Sequence, residues 1–297
     1  MAALRFTKAH SAGNDFIIID DPGDEVTVTP EMTQRICDRH HGIGADGIIR
    51  AVHVRNAEGC DPETEQPLWF MDHINSDGTV ANMCGNGLVA YTAYLESKNR
   101  VSMSLSVAAS VMTRAGLRSV RRTEHGLVAD LGAWNVVTPE SLERLGGDVW
   151  VSIAGISGRL RGIRIDVGVP HTVVRAPNRE TLFGVDFTKA PIVTPAPVDG
   201  SNVELVFVDE TRDDHGSLSV RVHERGIGET QACGTGAVAC SVAARIWDAD
   251  GKINSWDISM PGGNLHVDLP AASAVAGSSC QYVGVPVIVA EGVLFNA

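Results

Sequence analysis

The sequence predicts an α+β protein made of two homologous halves that meet at a cleft. Three observations carry this. Two short segments repeat each other about half the chain apart, Met83-Cys84-Gly85-Asn86-Gly87 and Ala232-Cys233-Gly234-Thr235-Gly236. Each segment runs into an apolar stretch of small residues with helical character, Leu88 to Leu95 and Ala237 to Ile246. The strands and glycine turns ahead of each segment follow one order, the mark of an internal repeat.

In the first half, Leu4 to Lys8 alternates as a strand, Ser11 to Asn14 reads as a turn, and Phe16 to Ile19 as a short apolar strand. Thr29-Pro30-Glu31 opens a helix to about Arg39, with Thr29 as N-cap and Pro30 in the first turn. Gly42 to Gly47 is a glycine-rich loop, Ile48 to Val54 a strand, Asn56 to Gln66 a polar excursion, and Leu68 to Met71 a strand. The second half restates the order. Arg161 to Val167 is a strand, Gly168-Val169-Pro170-His171 a turn, and Val203 to Val208 and Leu218 to Val222 are strands. Gly13-Asn14-Asp15-Phe16 therefore corresponds to Gly168-Val169-Pro170-His171, and Asn75 precedes Cys84 by the interval at which Glu224 precedes Cys233. The last segment, Val283 to Phe295, is expected to return to the first half. The domains are read as 1–131 with 284–297, and 132–283.

A chain of 297 residues suffices for two ordinary domains, and 44% apolar with 20% charged residues describes a soluble globular protein. The net charge of −12 argues against nucleic acid as a partner. The one basic cluster, Arg114, Arg118, Arg121 and Arg122, reads as the solvated edge of a hairpin. The N-terminus lacks signal-peptide character and no apolar run reaches spanning length, so a cytoplasmic protein with no membrane partner is expected. The six cysteines are scattered with no C-x-x-C, which argues against structural zinc and a disulfide framework. Cys37 and Cys240 read as core residues.

Cys84 and Cys233 carry the chemistry. A cysteine just ahead of a helix sits where partial positive charge collects, so its thiol pKa is expected to fall. The glycines let the backbone approach a ligand and point free N–H groups at an anion. Two such sites facing each other would hold one carboxylate between two thiols and move a proton from one face of a carbon to the other. Two groups are needed because a single base returns its proton to the face it came from. The bland readings are small core cysteines, or a carboxylate-binding module with inert thiols.

The motifs Gly13-Asn14-Asp15-Phe16, Asn75-x-Asp77-Gly78, Met83 to Gly87, and His223-Glu224-Arg225-Gly226 through Cys233-Gly234-Thr235-Gly236 resemble the diaminopimelate epimerase family. The resemblance runs from Phe6 to about Phe295. It implies two pseudo-symmetric α/β domains, each a hot-dog-like barrel around a central helix, with the active site in the cleft between them. It further implies an amino-acid racemase or epimerase that needs neither pyridoxal phosphate nor metal, so no cofactor. By the resemblance, Cys233 takes the proton from the L-configured centre and Cys84 returns one on the opposite face. Gly85-Asn86 and Gly234-Thr235 hold the α-carboxylate. Asn14, Asn75, Asn202, Glu224 and Arg225 match substrate-contacting positions, and His171 and Glu224 match positions that support catalysis near the α-amino group. The partners implied are a small-molecule amino acid and, at most, a second copy of the chain in a homodimer.

Two positions depart from the family pattern. Val89 stands where the family reads arginine in C-G-N-G-x-R, and Val169 where it reads asparagine in G-N-P-H. Valine cannot bond a distal amino or carboxylate group, so the expected substrate leans to an L-amino acid other than diaminopimelate, for example O-ureido-L-serine of D-cycloserine synthesis. Diaminopimelate itself is the alternative. An isomerase that moves a double bond is a further one, and Glu224 and His171 count against it.

Overall fold

The computed structural model describes residues 4–58, 60, 68–141, 146–248, 251–269 and 279–295. In chain order its elements begin with β1 (Leu4–Ser11), β2 (Asn14–Asp20), α1 (Pro30–Cys37), β3 (Gly47–His53), β4 (Trp69–Asn75), α2 (Gly85–Ser97), β5 (Ala108–Thr113), β6 (Gly116–Thr123) and β7 (Gly126–Ala133). There follow β8 (Asn135–Val136), β9 (Val149–Ser152), β10 (Leu160–Asp166), β11 (Pro170–Arg175), α3 (Arg179–Gly184), β12 (Ile192–Thr194), β13 (Asn202–Arg212), β14 (His215–Glu224) and β15 (Gly228–Thr230). The chain closes with α4 (Gly234–Trp247), β16 (Ser255–Met260), β17 (Gly263–Asp268), β18 (Ser279–Gly284) and β19 (Pro286–Leu294). Two compact units form, Met1–Asp130 with Val283–Ala297, and Leu131–Tyr282. Among the described residues no helix is long and apolar enough to cross a membrane.

In the first unit β1 pairs antiparallel with both β2 and β19, so the last strand of the chain joins the first. From β2 the ladder continues parallel to β3, antiparallel to β4, parallel to β5 and antiparallel to β6. Each parallel step needs a crossover, and the helices supply it: α1 links β2 to β3, and α2 lies between β4 and β5. Thr29 caps α1, its hydroxyl accepting the Met32 N–H at 3.2 Å. α2 has no polar face over its first two turns, with Gly85 through Thr92 all buried. Such a helix is stable only when surrounded, and α2 packs against β1, β2, β4 and β19.

The second unit repeats this sequence of pairings. β10 to β11 is antiparallel, β11 to β13 parallel, β13 to β14 antiparallel, β14 to β16 parallel and β16 to β17 antiparallel. α3 lies in the first parallel crossover and α4 in the second. α4 is buried from Gly234 through Ala244 and packs against β10, β11, β13, β14 and β17. Its run of Ala, Ser and Cys lets strands approach closely on all sides.

Several expectations shift in detail. His171 lies within β11 rather than in the preceding turn, because the chain is already paired from Pro170. Both central helices start directly after their cysteines, earlier than their apolar runs indicate. Of the basic cluster, Arg118, Arg121 and Arg122 lie on β6 in the expected hairpin. Arg114 instead turns inward to the buried carboxylate of Asp72 and over the Phe70 ring. Cys37 and Cys240 are buried on α1 and α4, and burial pushes the Cys37 thiol up to about 12. Most of the polar excursion, residues 59 and 61–66, lies outside the described residues.

Tyr91 ties α2 to the sheet, its buried hydroxyl donating to the Phe70 carbonyl at 3.0 Å. Tyr91→Phe leaves that acceptor without its donor and is expected to cost about 1 kcal/mol. Equilibrium denaturation checks this, and an unchanged midpoint would show that the bond contributes nothing.

Candidate active site

Each cysteine is the N-cap of its central helix, in extended backbone, and its sulfur accepts an N–H of the first turn. Cys84 Sγ accepts from Gly87 N–H at 3.4 Å, and Cys233 Sγ from Gly236 N–H at 3.3 Å. A thiol here replaces the oxygen that serine or threonine normally offers to the unpaired donors of a helix start. Gly85-Asn86 and Gly234-Thr235 form the first-turn backbone at these two starts, all four buried. This backbone is where an anion is held most favourably.

In the first half-site the Cys84 thiol also donates to Asn14 Oδ1 at 3.6 Å. Asn14 is the first residue of β2, and the left-handed turn residues are Ala12 and Gly13, so Asn14 is not there to make the turn. Its amide is aimed by Asp46, whose Oδ2 accepts from Asn14 Nδ2 at 2.7 Å. Asp46 is in turn bonded to Arg39, which bridges to Asp15, and Lys8 closes the chain of charges at 2.6 Å from Asp15. Burial works against ionisation of Asp15, but Arg39 and Lys8 outweigh it and hold its carboxyl low; burial foremost, with Asp15 beside it, pushes Asp46 up. Asn75 ends β4, half-buried, and donates to Thr79 Oγ1 at 3.0 Å.

The second half-site buries its cysteine more deeply. Cys233 is only 7% exposed, its N–H donates to Met260 Sδ at 3.4 Å, and its sulfur lies 3.4 Å from Thr235 Oγ1. Asn202 begins β13 opposite His171 on β11, and its Oδ1 accepts the Arg225 N–H at 2.9 Å. The Arg225 guanidinium is tied to the Asp199 carbonyl, and Glu224 accepts from the Thr230 hydroxyl. His171 Nδ1 lies 2.7 Å from Glu204 Oε1, both side chains fully buried.

This environment corrects one expectation. The Cys233 thiol pKa does not fall. Burial first, then the carboxylates of Glu224 and Glu204, push it well above the ordinary value, and the pull of Thr235 and of the Gly236 N–H is outweighed. Glu204 escapes a reading of the sequence alone. Its only signal is one carboxylate inside the apolar run Val203-Glu204-Leu205-Val206. Asp46 was likewise hidden in the glycine-rich loop. Val89, which departs from the family pattern, is fully buried on α2, and so is Val238 at the same place on α4. Val169 is half-buried, and its carbonyl accepts the Val167 N–H at 3.1 Å in the turn before β11. Among the described residues no cluster of His, Cys, Asp and Glu is arranged to hold a metal ion.

Comparison with known proteins bears on this arrangement. The sequence profile of the family described as Diaminopimelate epimerase matches residues 6–137 and 163–279. The chain is 37% identical to the diaminopimelate epimerase of Rhodococcus jostii (strain RHA1), over 98% of this chain and 97% of that one. It is 35% identical to that of Thermobifida fusca (strain YX), over 97% of each. Among solved structures, a PhzF-family phenazine biosynthesis protein from Bacillus anthracis superposes with a TM-score of 0.67 at 13% identity, covering 99% of this chain and 100% of that one. A probable proline racemase from Agrobacterium radiobacter K84 superposes at 0.63 and 13%, covering 99% and 93%. These two likenesses speak to the fold.

The two helix starts respond differently to one added methyl group. A Cβ at Gly87 would meet Cys84, Ile49 and Phe16 at 3.3–3.4 Å, whereas one at Gly236 would stand 2.8 Å from Glu204 Oε1 and 3.1 Å from Cys233 Cβ. Gly87→Ala is expected to change stability by under about 1 kcal/mol, since helix propensity offsets mild crowding. Gly236→Ala should cost about 1–3 kcal/mol through overpacking. Thermal unfolding of the pair checks this; equal effects would mean that the half-sites are packed alike.

Proposed function

Because the chain belongs to the diaminopimelate epimerase family, we propose that it inverts one α-carbon of LL-diaminopimelate, giving the meso form by moving a proton between two cysteine thiols. The observation that carries this reading is the matched pair of thiol-capped helix starts, Cys84 on α2 and Cys233 on α4. Cys233 takes the α-proton from the L-configured centre, and Cys84 delivers a proton to the opposite face. The α-carboxylate rests on the first-turn N–H groups at Gly85-Asn86 and Gly234-Thr235. As the α-proton leaves, charge develops on that carboxylate, and fixed donors in a dry site stabilise it by about 3–4 kcal/mol each. The α-ammonium is drawn to Glu224 and to the His171 side of the site. Positive charge beside Cys233 offsets the two carboxylates that otherwise hold the thiol protonated, and so favours the thiolate. Asn14, Asn75, Asn202 and Arg225 bind the distal centre. No pyridoxal phosphate or metal takes part.

The substrate follows the relatives rather than the sequence-based lean. Proteins named diaminopimelate epimerase at 35–37% identity over nearly the whole chain support diaminopimelate over O-ureido-L-serine. Val169 is the one feature that favours a substrate without a second zwitterionic centre.

Incubation with LL-diaminopimelate and a panel of L-amino acids in heavy water, scored by chiral chromatography, tests the reading. Early product should carry deuterium at the α-carbon while remaining substrate stays protiated. Cys84→Ala and Cys233→Ala should each lower kcat by about 10²- to 10⁴-fold. Near-normal turnover in either variant would remove that cysteine from its role, and inversion of other amino acids alone would replace diaminopimelate.

Val169→Asn probes the distal end separately. A recovered hydrogen bond to a charged group contributes about 1.5–3 kcal/mol, so the preference for LL-diaminopimelate over an amino acid lacking a distal zwitterion should rise about tenfold or more. The ratio of the two kcat/KM values is the measurement, and an unchanged ratio would place position 169 away from the substrate.

A further inference from the structure

The pairings that duplicate the two units also show where the first lacks a polar side chain. β11 runs parallel to β13 with His171 opposite Asn202, and β2 runs parallel to β3 with Phe16 opposite Gly47. Gly47 therefore stands where the second unit carries the Asn202 amide. It has no room for a side chain of its own. A Cβ there would lie 2.7 Å from the Ile74 carbonyl oxygen and 2.9 Å from His73 Nε2. The second contact shows what fills the place instead. His73 of β4 pairs with Ile49, as Val222 of β14 pairs with Glu204, so His73 answers to Val222. The second unit has an amide on one strand and a valine on the next, whereas the first has a glycine and an imidazole. Phe16, Gly47 and Asn75 form one row across β2, β3 and β4, and alternation puts Asn14, Ile49 and His73 on the same face. That face meets the start of α2: Phe16 and Ile49 each lie 3.4 Å from a Cβ on Gly87, and Asn14 accepts from the Cys84 thiol. His73 is 4% exposed, its ring nearly perpendicular to that of Phe16 with centroids 5.5 Å apart. Neither ring nitrogen has a hydrogen-bond partner among the described residues. Burial pushes its pKa down to about 4, with Asp72 opposing and Arg114 adding to the fall. Near pH 7 the ring is therefore neutral, with one donor and one acceptor to offer. Burying both unpaired costs stability, and packing alone needs neither, as the fully buried Val222 shows at the matching place.

We propose that His73 is a specificity-determining residue of the first half-site, its imidazole supplying over Gly47 the hydrogen bond to the distal end of the bound amino acid that the Asn202 amide supplies in the second. The inference rests on the proposed epimerase reading, which already places Asn14 and Asn75 of the same face at that end. Gly47 is part of the arrangement. Its missing side chain lets Nε2 reach the row of Phe16 and Asn75 from two residues earlier on β4. A distal amino-acid centre carries both kinds of partner: a carboxylate accepts from the ring N–H, and an ammonium donates to the bare nitrogen. An alkyl end carries neither and leaves the imidazole unpaired, which is how a site built for a hydrogen bond rejects an analogue that lacks it. His73 thus offers the distal centre a polar contact of the kind that Val169 cannot.

The test compares His73→Phe, which keeps a planar ring beside Phe16 and removes both nitrogens, with His73→Gln, which restores a donor and an acceptor. Both are made in the full chain. In His73→Phe the ratio of kcat/KM for LL-diaminopimelate over L-norleucine, whose distal end is alkyl, should fall about tenfold or more. His73→Gln should recover part of that loss. A role in packing alone would lower both kcat/KM values together and leave the ratio in place. Direct contact is read by nuclear magnetic resonance in protein carrying isotope-labelled histidine, with Cys84→Ala to prevent turnover. The ring-nitrogen resonances that either position-73 variant lacks should shift when LL-diaminopimelate saturates the site. This readout keeps His73 itself in place, so it stands even where a substitution disturbs folding. The proposal is overturned if the ratio is unchanged in His73→Phe, or falls equally in both variants. It is also overturned if the His73 resonances stay in place at saturation. A wild type that inverts no amino acid would remove the epimerase reading itself, whereas turnover of LL-diaminopimelate with an unmoved His73 removes this inference alone.

Discussion

In each unit a central helix begins at a cysteine whose sulfur accepts an N–H from the helix's own first turn. The rest of the structure depends on this contact. The first turn of a helix has four N–H groups without internal partners, and they can be buried only if something accepts from them. A thiol occupies the acceptor position in both units, at 3.4 Å and 3.3 Å. Gly85-Asn86 and Gly234-Thr235 supply the buried backbone of the same first turns. In the proposed reaction, capping and chemistry would use one set of atoms.

That contact demands a helix buried on every side, and the sheets are built to meet the demand. α2 and α4 carry no polar stripe through their first two turns. Strands must therefore surround them, and the order antiparallel, parallel, antiparallel, parallel, antiparallel does so twice in one chain. Since the register is the same, the residues behind the two helix starts can be compared one for one. Ile49 answers to Glu204, Phe16 to His171, and Val89 to Val238. The duplicated frame carries the same backbone device in both copies, with Ile49 and Phe16 in one and Glu204 and His171 at the matching places in the other.

The cysteine pair was legible because a helix N-cap is a local event: a cysteine, a Gly-x-Gly turn and an apolar run lie within a dozen residues. The strand order was legible for a similar reason, since alternation and glycine turns are short-range signals. What was misjudged involved partners far away in the chain. Arg114 read as part of a solvated edge, yet it pairs with Asp72, 42 residues away. The helix start alone would lower the thiol pKa, whereas burial and two carboxylates raise it for Cys233.

By itself, then, the amino-acid sequence determined the duplication, the two thiol-capped helices and the candidate residues around them, because each is written in residues adjacent along the chain. Only the tertiary structure decided the environment of each thiol. Glu204 and His171 are 33 residues apart; His171 stands out in the sequence only through the family motif, and Glu204 only as one carboxylate in an apolar strand. The parallel register of β11 and β13 sets them side by side, with Glu204 against the start of α4, where burial first, then Glu224 and Glu204, raise the Cys233 thiol.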